Sequence, residues 1–160
     1  MNDLPSTTQF TFYDEKDTAY DPRRSHSYTF MVEGVPVAWA RAGRQGGRYY
    51  DKQTKEKREF ANALYAKHPH LFYGRPYPEY PLDLSMTFFM PIPDSYSKKK
   101  CNLVRGKPHI FTPDLSNLIK FVEDAITDIL IKDDCMIANI TAMKIYDDLP
   151  RTVFTLQEAR

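Results

Sequence analysis

Hydrophobic residues recur every three to four positions between residues 115 and 130, which is the spacing of an amphipathic helix. The opposite side of this helix is polar and carries Lys120, while Asp114 precedes the helix and Asp133 and Asp134 follow it. The apolar side predicts contact with a core. Packing does not explain the polar side, which carries a lysine and has acids at both ends. The apolar positions are Leu115, Leu118, Ile119, Val122, Ala125, Ile126, Ile129 and Leu130.

Alternation of apolar and polar residues predicts strands at residues 27–37, 82–90, 136–146 and 151–157, the last as an edge strand. A second helix is predicted at residues 51–67, with Phe60, Ala61, Leu64 and Tyr65 on one side. The order of elements is strand, helix, strand, helix, strand, strand. This order predicts an α/β protein of the α+β type, a two-layer sandwich with helices packed on one mixed β-sheet.

The chain of 160 residues is 42% hydrophobic and 27% charged, which predicts one globular domain over residues 28–160. Residues 1–27 are expected to form an irregular N-terminal arm, either a regulatory or dimer-contacting segment or a variable extension. No apolar run is long enough for a membrane span, and no signal peptide is evident. Because Cys101 and Cys135 are isolated, we expect neither a disulfide scaffold nor a paired-cysteine metal site, and a cytoplasmic location.

The formal net charge of +1 conceals a basic middle between two acidic ends. Residues 1–40 contain three basic and six acidic side chains, and residues 108–160 contain five basic and nine acidic ones. Residues 41–107 contain fourteen basic and six acidic side chains. This distribution predicts that the middle binds a polyanion and that the acidic C-terminal third binds cations.

Two basic stretches are candidates for phosphate contacts. The run A-W-A-R-A-G-R-Q-G-G-R-Y-Y contains Arg41 and Arg44 among glycines and aromatics, and is either a phosphate-binding loop or a solvated hairpin loop. Residues 98–107 are predicted to be a flexible loop, which either grips phosphates or keeps the surface charged. Its position directly before the acidic segment favours phosphate binding. Its cations are Lys98, Lys99, Lys100, Arg105 and Lys107.

Acidic residues at the two ends of the helix predicted at residues 115–130 are candidates for a magnesium site. Mg²⁺ prefers oxygen ligands and needs one to three carboxylates when a substrate phosphate completes the shell. A helix of about 16 residues is about 24 Å long, so Asp114 and Asp134 meet only across a dimer or if the acidic loop folds back. Each residue also has a simpler explanation: Asp114 as an N-cap, Lys120 as a surface cation, and Asp133 with Asp134 as a turn.

His68 and His70 do not indicate a zinc site. The pair lies in H-P-H, next to a proline-rich segment. No cysteine or acidic residue stands at the spacing with which closed zinc sites place their ligands. A surface connection is the better interpretation of this stretch.

The run P-D-L-S-N-L-I-K-F-V-E-D-A-I, followed by D-D-C-M-I, resembles the RusA family of Holliday-junction resolvases. The family's usual pattern is P-D-x-D-N-x-x-K, then D-A-L, then D-D. The later strand with Lys144 and Tyr146, the closing P-R, and the upstream runs G-V-P-V-A-W-A-R, Y-D-K-Q-T-K and M-P-I-P-D-S-Y-S-K-K-K are also similar to the family. The resemblance covers about residues 28–158.

The resemblance implies a homodimeric endodeoxyribonuclease, bacterial and often prophage-borne, that cuts four-way DNA junctions by symmetric nicks. It implies Mg²⁺ as cofactor, with Mn²⁺ as a substitute. By position, Asp114 and Asp134 match metal-binding acids, with Asp133 beside them, and Lys120 matches the lysine needed for cleavage.

Ser116 departs from the family pattern, which has an acid at this position. A hydroxyl is a weak, neutral Mg²⁺ ligand, so the site loses one negative charge. Two functions follow: a nuclease with a weakened metal site, or a silent protein that binds junctions without cutting them. A third hypothesis is a partner-binding α/β domain unrelated to DNA.

Overall fold

The computed structural model describes residues 27–69 and 77–159. The predicted arm lies outside this range except for Ser27, and His70 lies outside it as well. The elements in chain order are β1 (Ser27–Glu33), β2 (Gly43–Gln45), β3 (Arg48–Tyr50), α1 (Thr54–Lys67), β4 (Leu82–Pro91), α2 (Lys98–Val104), α3 (Leu115–Ile126), β5 (Ile137–Asp147) and β6 (Arg151–Glu158). A short 3₁₀ turn, Asp134–Met136, precedes β5.

Four of the strands form one mixed sheet in the order β1-β6-β4-β5. β6 pairs antiparallel with both β1 and β4, whereas β5 runs parallel to β4. Within the described chain α1 and α3 pack beside this sheet, and the core lies between the two layers. The predicted α+β class and the mixed sheet with packed helices are therefore confirmed.

The prediction that residues 151–157 form an edge strand is wrong. β6 lies between β1 and β4, and Phe154 is opposite Phe30 on one side and Met86 on the other. β6 does not pair with β5, its neighbour in sequence, but with β4 and β1, while β5 pairs with the other edge of β4. Two of the apolar residues that alternate along β6, Phe154 and Leu156, are buried in the core.

The prediction of a flexible loop at residues 98–107 is also wrong, because Lys98–Val104 is the helix α2. Ser97 caps it, with its side-chain oxygen accepting a hydrogen bond from the Lys100 N–H. α2 contains no buried residue. A helix without a buried face shows no apolar periodicity, so the pattern of the sequence could not reveal it.

The basic stretch after β1 is a small hairpin, since β2 and β3 form an antiparallel pair. Gly46 and Gly47 make its two-residue turn, with φ of 56° and 79°. Positive φ at both central positions is what a type I′ hairpin turn requires, and glycine adopts it without strain. Arg44 and Arg48 are thereby placed on either side of the turn, exposed to solvent.

Helix α3 ends at Ile126, before the end that its apolar spacing predicted. Residues 127–131 turn away from the helix axis, and Ile131 is fully buried at the end of this turn. Phe121, which the predicted apolar side did not include, is 1% exposed and contacts Phe60 of α1 edge to face. In the described ranges no helix is long and apolar enough to cross a membrane.

Candidate functional site

Asp114 occupies the N-cap position of α3, but its side chain makes no capping hydrogen bond. The first turn is instead closed by the backbone, as the Asp114 carbonyl accepts from the N–H groups of Asn117 and Leu118. Capping therefore does not explain why an acid stands here. The exposed Asp114 carboxylate lies at the N-terminal end of the helix, where the free N–H groups make the helix dipole positive.

The backbone in front of Asp114 is held by Lys144 of β5. The Lys144 ammonium donates to the carbonyl oxygens of Phe111, at 2.5 Å, and Pro113, at 2.6 Å. Lys144 is opposite the fully buried Phe88 in the sheet, so its stem is anchored beside the core. This lysine had no assigned role in the sequence, and its position suggests that it fixes where Asp114 enters the helix.

Lys120 lies between two carboxylates on the polar side of α3. Its ammonium is 2.9 Å from Asp124 Oδ1 and 3.4 Å from Asp134 Oδ2. The pKa of Lys120 is raised, first by the hydrogen bond to Asp124 and also by Asp134. The lysine is therefore held in its charged form, and the acidic loop after α3 folds back beside the helix.

Asp133 and Asp134 have different surroundings although they are neighbours. Asp133 Oδ1 accepts a hydrogen bond from the Cys135 N–H at 2.9 Å, which caps the 3₁₀ turn. This backbone bond lowers the pKa of Asp133. Asp133 thus serves the turn that the simpler explanation predicted, while Asp134 reaches Lys120.

A second lysine joins this cluster from α1. The Lys57 ammonium is 2.8 Å from Asp51 Oδ2 and 3.4 Å from Asp124 Oδ2. Asp124 therefore shares its two oxygens between Lys57 and Lys120. The i,i+4 spacing of Lys120 and Asp124 was a usable signal for this contact. The contact between Lys57 and Asp124 joins α1 to α3 and had no signal in the local sequence.

Glu123 adds a half-buried carboxyl group to the polar side of α3. Its pKa is raised, mainly by burial, with smaller contributions from the nearby charges of Asp134 and Asp124. Across residues 27–69 and 77–159, no three His, Cys, Asp or Glu side chains converge closely enough to hold one metal ion. Asp114 begins the helix six residues before Lys120, or about 9 Å along the axis.

The donor chemistry around Lys120 nevertheless fits Mg²⁺. The available ligands are carboxylate oxygens, and Mg²⁺ is commonly bound by one or two carboxylates together with waters and substrate phosphate. Asp134 is the carboxylate that contacts the lysine from the loop after α3, and Asp114 is the acid at the helix start whose side chain makes no capping bond. These two residues are the candidates to hold the metal.

Residues 32–157 match the family model described as "Endodeoxyribonuclease RusA". The chain belongs to the RusA endodeoxyribonuclease family. It is also similar to "Uncharacterized protein YqaN" of Bacillus subtilis (strain 168), with 27% identity over 137 residues, 81% of this chain and 94% of that protein. The predicted resemblance is thereby confirmed. The RusA family acts on branched DNA junctions, as Holliday-junction-resolving endonucleases.

Ser116 lies exposed in the first turn of α3 in this RusA protein. It stands two residues after Asp114, so it belongs to the same end of the helix. Its hydroxyl carries no charge, whereas an acid at this position would place a second carboxylate two residues after Asp114. Having serine instead of an acid at position 116 therefore removes a carboxylate only from the start of α3. The contact between Lys120 and Asp134 does not involve this residue.

The cations predicted to bind DNA lie in three places in the RusA fold. Arg41 just before β2 and Arg44 within β2 are exposed, and Lys98 and Lys99 are exposed at the start of α2. In the α2 group, Lys100 lies 3.5 Å from the centre of the Tyr96 ring. Exposed cations beside an aromatic ring are suited to contact phosphates.

Arg105 and Lys107 follow α2, and Arg105 forms an ion pair with an acid. Arg105 makes two bonds to Asp148, at 2.5 and 3.0 Å, and one to Asn102. Asp148 raises the pKa of Arg105, and Arg105 lowers the pKa of Asp148. Lys107 is exposed, and its backbone is bonded to Tyr146. Arg105 therefore anchors the end of α2 to the turn after β5.

Proposed function

We propose that this protein is a Mg²⁺-dependent endodeoxyribonuclease that resolves four-way DNA junctions by paired, symmetric nicks. The observation that carries the proposal is the contact of Lys120 with Asp134 in a chain of the RusA family. A charged lysine against a carboxylate that is a candidate metal ligand is an arrangement suited to phosphodiester cleavage. Mn²⁺ is expected to replace Mg²⁺, since both favour carboxylate oxygens.

Each residue of the cluster has a distinct role in this proposal. Asp114 and Asp134 would hold the metal, whose chemistry is to lower the pKa of a bound water and to polarise the phosphate. Lys120 stabilises the negative charge that develops on the scissile phosphate. Asp124 positions the Lys120 ammonium, and Asp133 holds the turn that presents Asp134.

A homodimer is the assembly that suits the substrate. A two-fold dimer presents two equivalent sites to the two equivalent strands of a four-way junction. β5 is one of the two edge strands of the described four-stranded sheet, and its residues Ile140 and Met143 are exposed. An exposed apolar edge strand is a surface that a second copy could cover.

Ser116 supports a second candidate, a protein that binds junctions but does not cut them. With a hydroxyl in place of an acid, the first turn of α3 contains no carboxylate, and Asp114 at the N-cap is the one acid at the helix start. Fewer negative ligands weaken Mg²⁺ binding. The basic surfaces do not depend on the metal, so junction binding would persist.

Cleavage of a labelled four-way junction separates these candidates. Each of the four strands is labelled in turn and incubated with the protein and Mg²⁺, beside a linear duplex of the same sequence. The proposal predicts nicks in two opposed strands of the junction and none in the duplex. Binding without nicks in Mg²⁺ or Mn²⁺ would establish the silent candidate instead.

A further inference from the structure

A surface cavity of about 210 Å³ lies between the segment that follows β1 and the β2–β3 hairpin. Aromatic and small side chains line it, together with the ion pair of Asp51 and Lys57. The cleavage residues proposed above do not line it, so it has no role in that mechanism. The lining residues are Trp39, Ala40, Ala42, Tyr49, Tyr50, Asp51 and Lys57.

The wall that carries Trp39 is fixed by hydrogen bonds to both neighbouring helices. The buried side chain of Gln53, 7% exposed, accepts from the Ala40 N–H at 2.7 Å and donates to the Ala38 carbonyl at 2.9 Å. The backbone N–H of Trp39 donates to the Asn117 carbonyl in the first turn of α3 at 2.8 Å. This side of the cavity is therefore built before any ligand arrives.

The hairpin wall depends on a glycine. The Tyr50 ring lies against the backbone of Gly43 so closely that an added Cβ would be 2.3 Å from it. A side chain at position 43 would displace the ring that lines the cavity. The close contact explains a buried glycine within β2 and shows that the Tyr50 ring has a defined place.

The chemistry of the lining favours a flat aromatic ligand carried on a polyanion. Tyr49 is 74% exposed, and the Arg44 guanidinium lies 5.6 Å from the centre of its ring. Arg48 is exposed on the same hairpin, and Arg41 is exposed just before it. Aromatic side chains with nearby arginines are the combination that stacks unpaired bases and holds their phosphates.

The polar lining of the cavity favours stacking over base reading. Asp51 Oδ1 already accepts from the Gln53 N–H, and Asp51 Oδ2 pairs with the Lys57 ammonium. Each Asp51 oxygen therefore has a partner within the protein, and a base edge would have to share it. The ring surfaces of Trp39 and Tyr49 remain as the main contacts, and every base can stack on them.

The cavity adjoins the cleavage residues through one carboxylate. Lys57 lines the cavity and contacts Asp124, and Asp124 also contacts Lys120. We infer that the cavity binds one unpaired nucleobase of the nucleotide beside the cut phosphodiester. This inference rests on the proposed nuclease function. Bases that are already unpaired, as at a distorted branch point, cost least to place in such a pocket.

Trp39 is the single tryptophan of the chain and reports on the cavity directly. Its fluorescence is measured while the full-length protein is titrated with a short single strand of thymidine nucleotides. A strand of the same length that carries no bases serves as the backbone control. Quenching by the thymidine strand, and not by the baseless one at the same salt concentration, is the expected result. Equal quenching by both strands would overturn the inference.

Variants of Tyr49 test the stacking contact, because this exposed side chain can be changed with little effect on folding. Tyr49→Ala should weaken binding of the thymidine strand about tenfold, and Tyr49→Phe should restore it. Tyr65→Ala, an exposed tyrosine on α1, is the matched control and should bind normally. Unchanged affinity for Tyr49→Ala would overturn the inference. So would a Trp39 spectrum that changes with protein concentration alone, because the cavity would then face another copy.

The nicking assay on the same variants separates the two proposals. If the wild-type protein nicks junctions and Tyr49→Ala binds and cuts as well as wild type, the base pocket is wrong and the nuclease stands. If neither the wild type nor any variant nicks, but the thymidine strand still quenches Trp39, the nuclease proposal fails. The base pocket then stands, but it has no cut phosphodiester beside it.

Discussion

The ammonium nitrogen of Lys120 lies 3.4 Å from Asp134 Oδ2, although fourteen positions separate the two residues. The contact exists because the chain leaves α3 after Ile126, buries Ile131 and returns along the polar side of the helix. An acid that follows the helix in sequence is thereby a neighbour of the helix in space. This return brings a candidate metal ligand to a candidate catalytic lysine within one chain.

Asp124 is predicted to act through Lys120. Replacing it by asparagine removes the largest cause of the raised Lys120 pKa, so the pKa should fall. Activity that needs the charged lysine is lost as pH rises through this pKa, so the alkaline limb of the pH–rate profile should move to lower pH. Loss of positioning should reduce the cleavage rate by up to about a hundredfold, with junction affinity little changed.

Glu59→Gln is the control for Asp124→Asn, since Glu59 forms an exposed i,i+4 pair with Lys55 on α1. It should leave the pH–rate profile in place. A profile that is identical for wild type and Asp124→Asn would contradict the positioning role. A shift in both variants would indicate a general effect of net charge.

Ser116→Asp is predicted to strengthen the metal site. The added carboxylate stands in the same helical turn as Asp114 and supplies a ligand of the kind that Mg²⁺ prefers. The Mg²⁺ concentration for half-maximal cleavage should fall by about tenfold or more, the scale on which a change near a metal alters affinity. Ser116→Asn adds oxygen without charge and should have little effect. Equal Mg²⁺ dependence in all three proteins would mean that position 116 is outside the metal site.

The three lysines at the start of α2 are predicted to contribute unequally to DNA binding. Consecutive residues of a helix point about 100° apart, so Lys98, Lys99 and Lys100 cannot all face one DNA surface. Neutralising all three should reduce the slope of log affinity against log salt by about one to two, not by the full three contacts. Lys55→Gln on α1 is the control. An unchanged slope would remove α2 from the DNA surface.

Phe121 is predicted to be a main source of stability for the layer that carries the site. It is 1% exposed between α3 and α1, so Phe121→Ala should lower the free energy of unfolding by about 3–5 kcal/mol. Phe111→Ala is the matched control, because Phe111 is 58% exposed and should cost under about 1 kcal/mol. Urea unfolding measures both. Similar losses for the two variants would show that the α3 interface is not the dominant packing contact.

The helix α3, its flanking acids and the family could all be predicted because they are encoded in local spacing and in one continuous motif. The same spacing also contained Phe121, three positions after Leu118, although it was not assigned. The central position of β6 could not be predicted in this way. Strand order depends on which edges pair, and β6 pairs with β4 and β1 instead of with β5, the strand that precedes it in sequence.

The supporting residues of the site were less predictable than the motif. Lys57 meets Asp124 only because α1 packs against α3, and Lys144 reaches the Pro113 carbonyl only because β5 runs beside the start of α3. Such contacts join segments that are distant in sequence.

Single-turnover cleavage of a labelled four-way junction in Mg²⁺, by the wild-type protein and by Asp134→Asn, tests the central claim most directly. Asp94→Asn, which changes an exposed acid between β4 and α2, is the control for the loss of one charge. The account predicts paired nicks by wild type and Asp94→Asn, and junction binding without nicks by Asp134→Asn. Nicking by Asp134→Asn at the wild-type rate would contradict it.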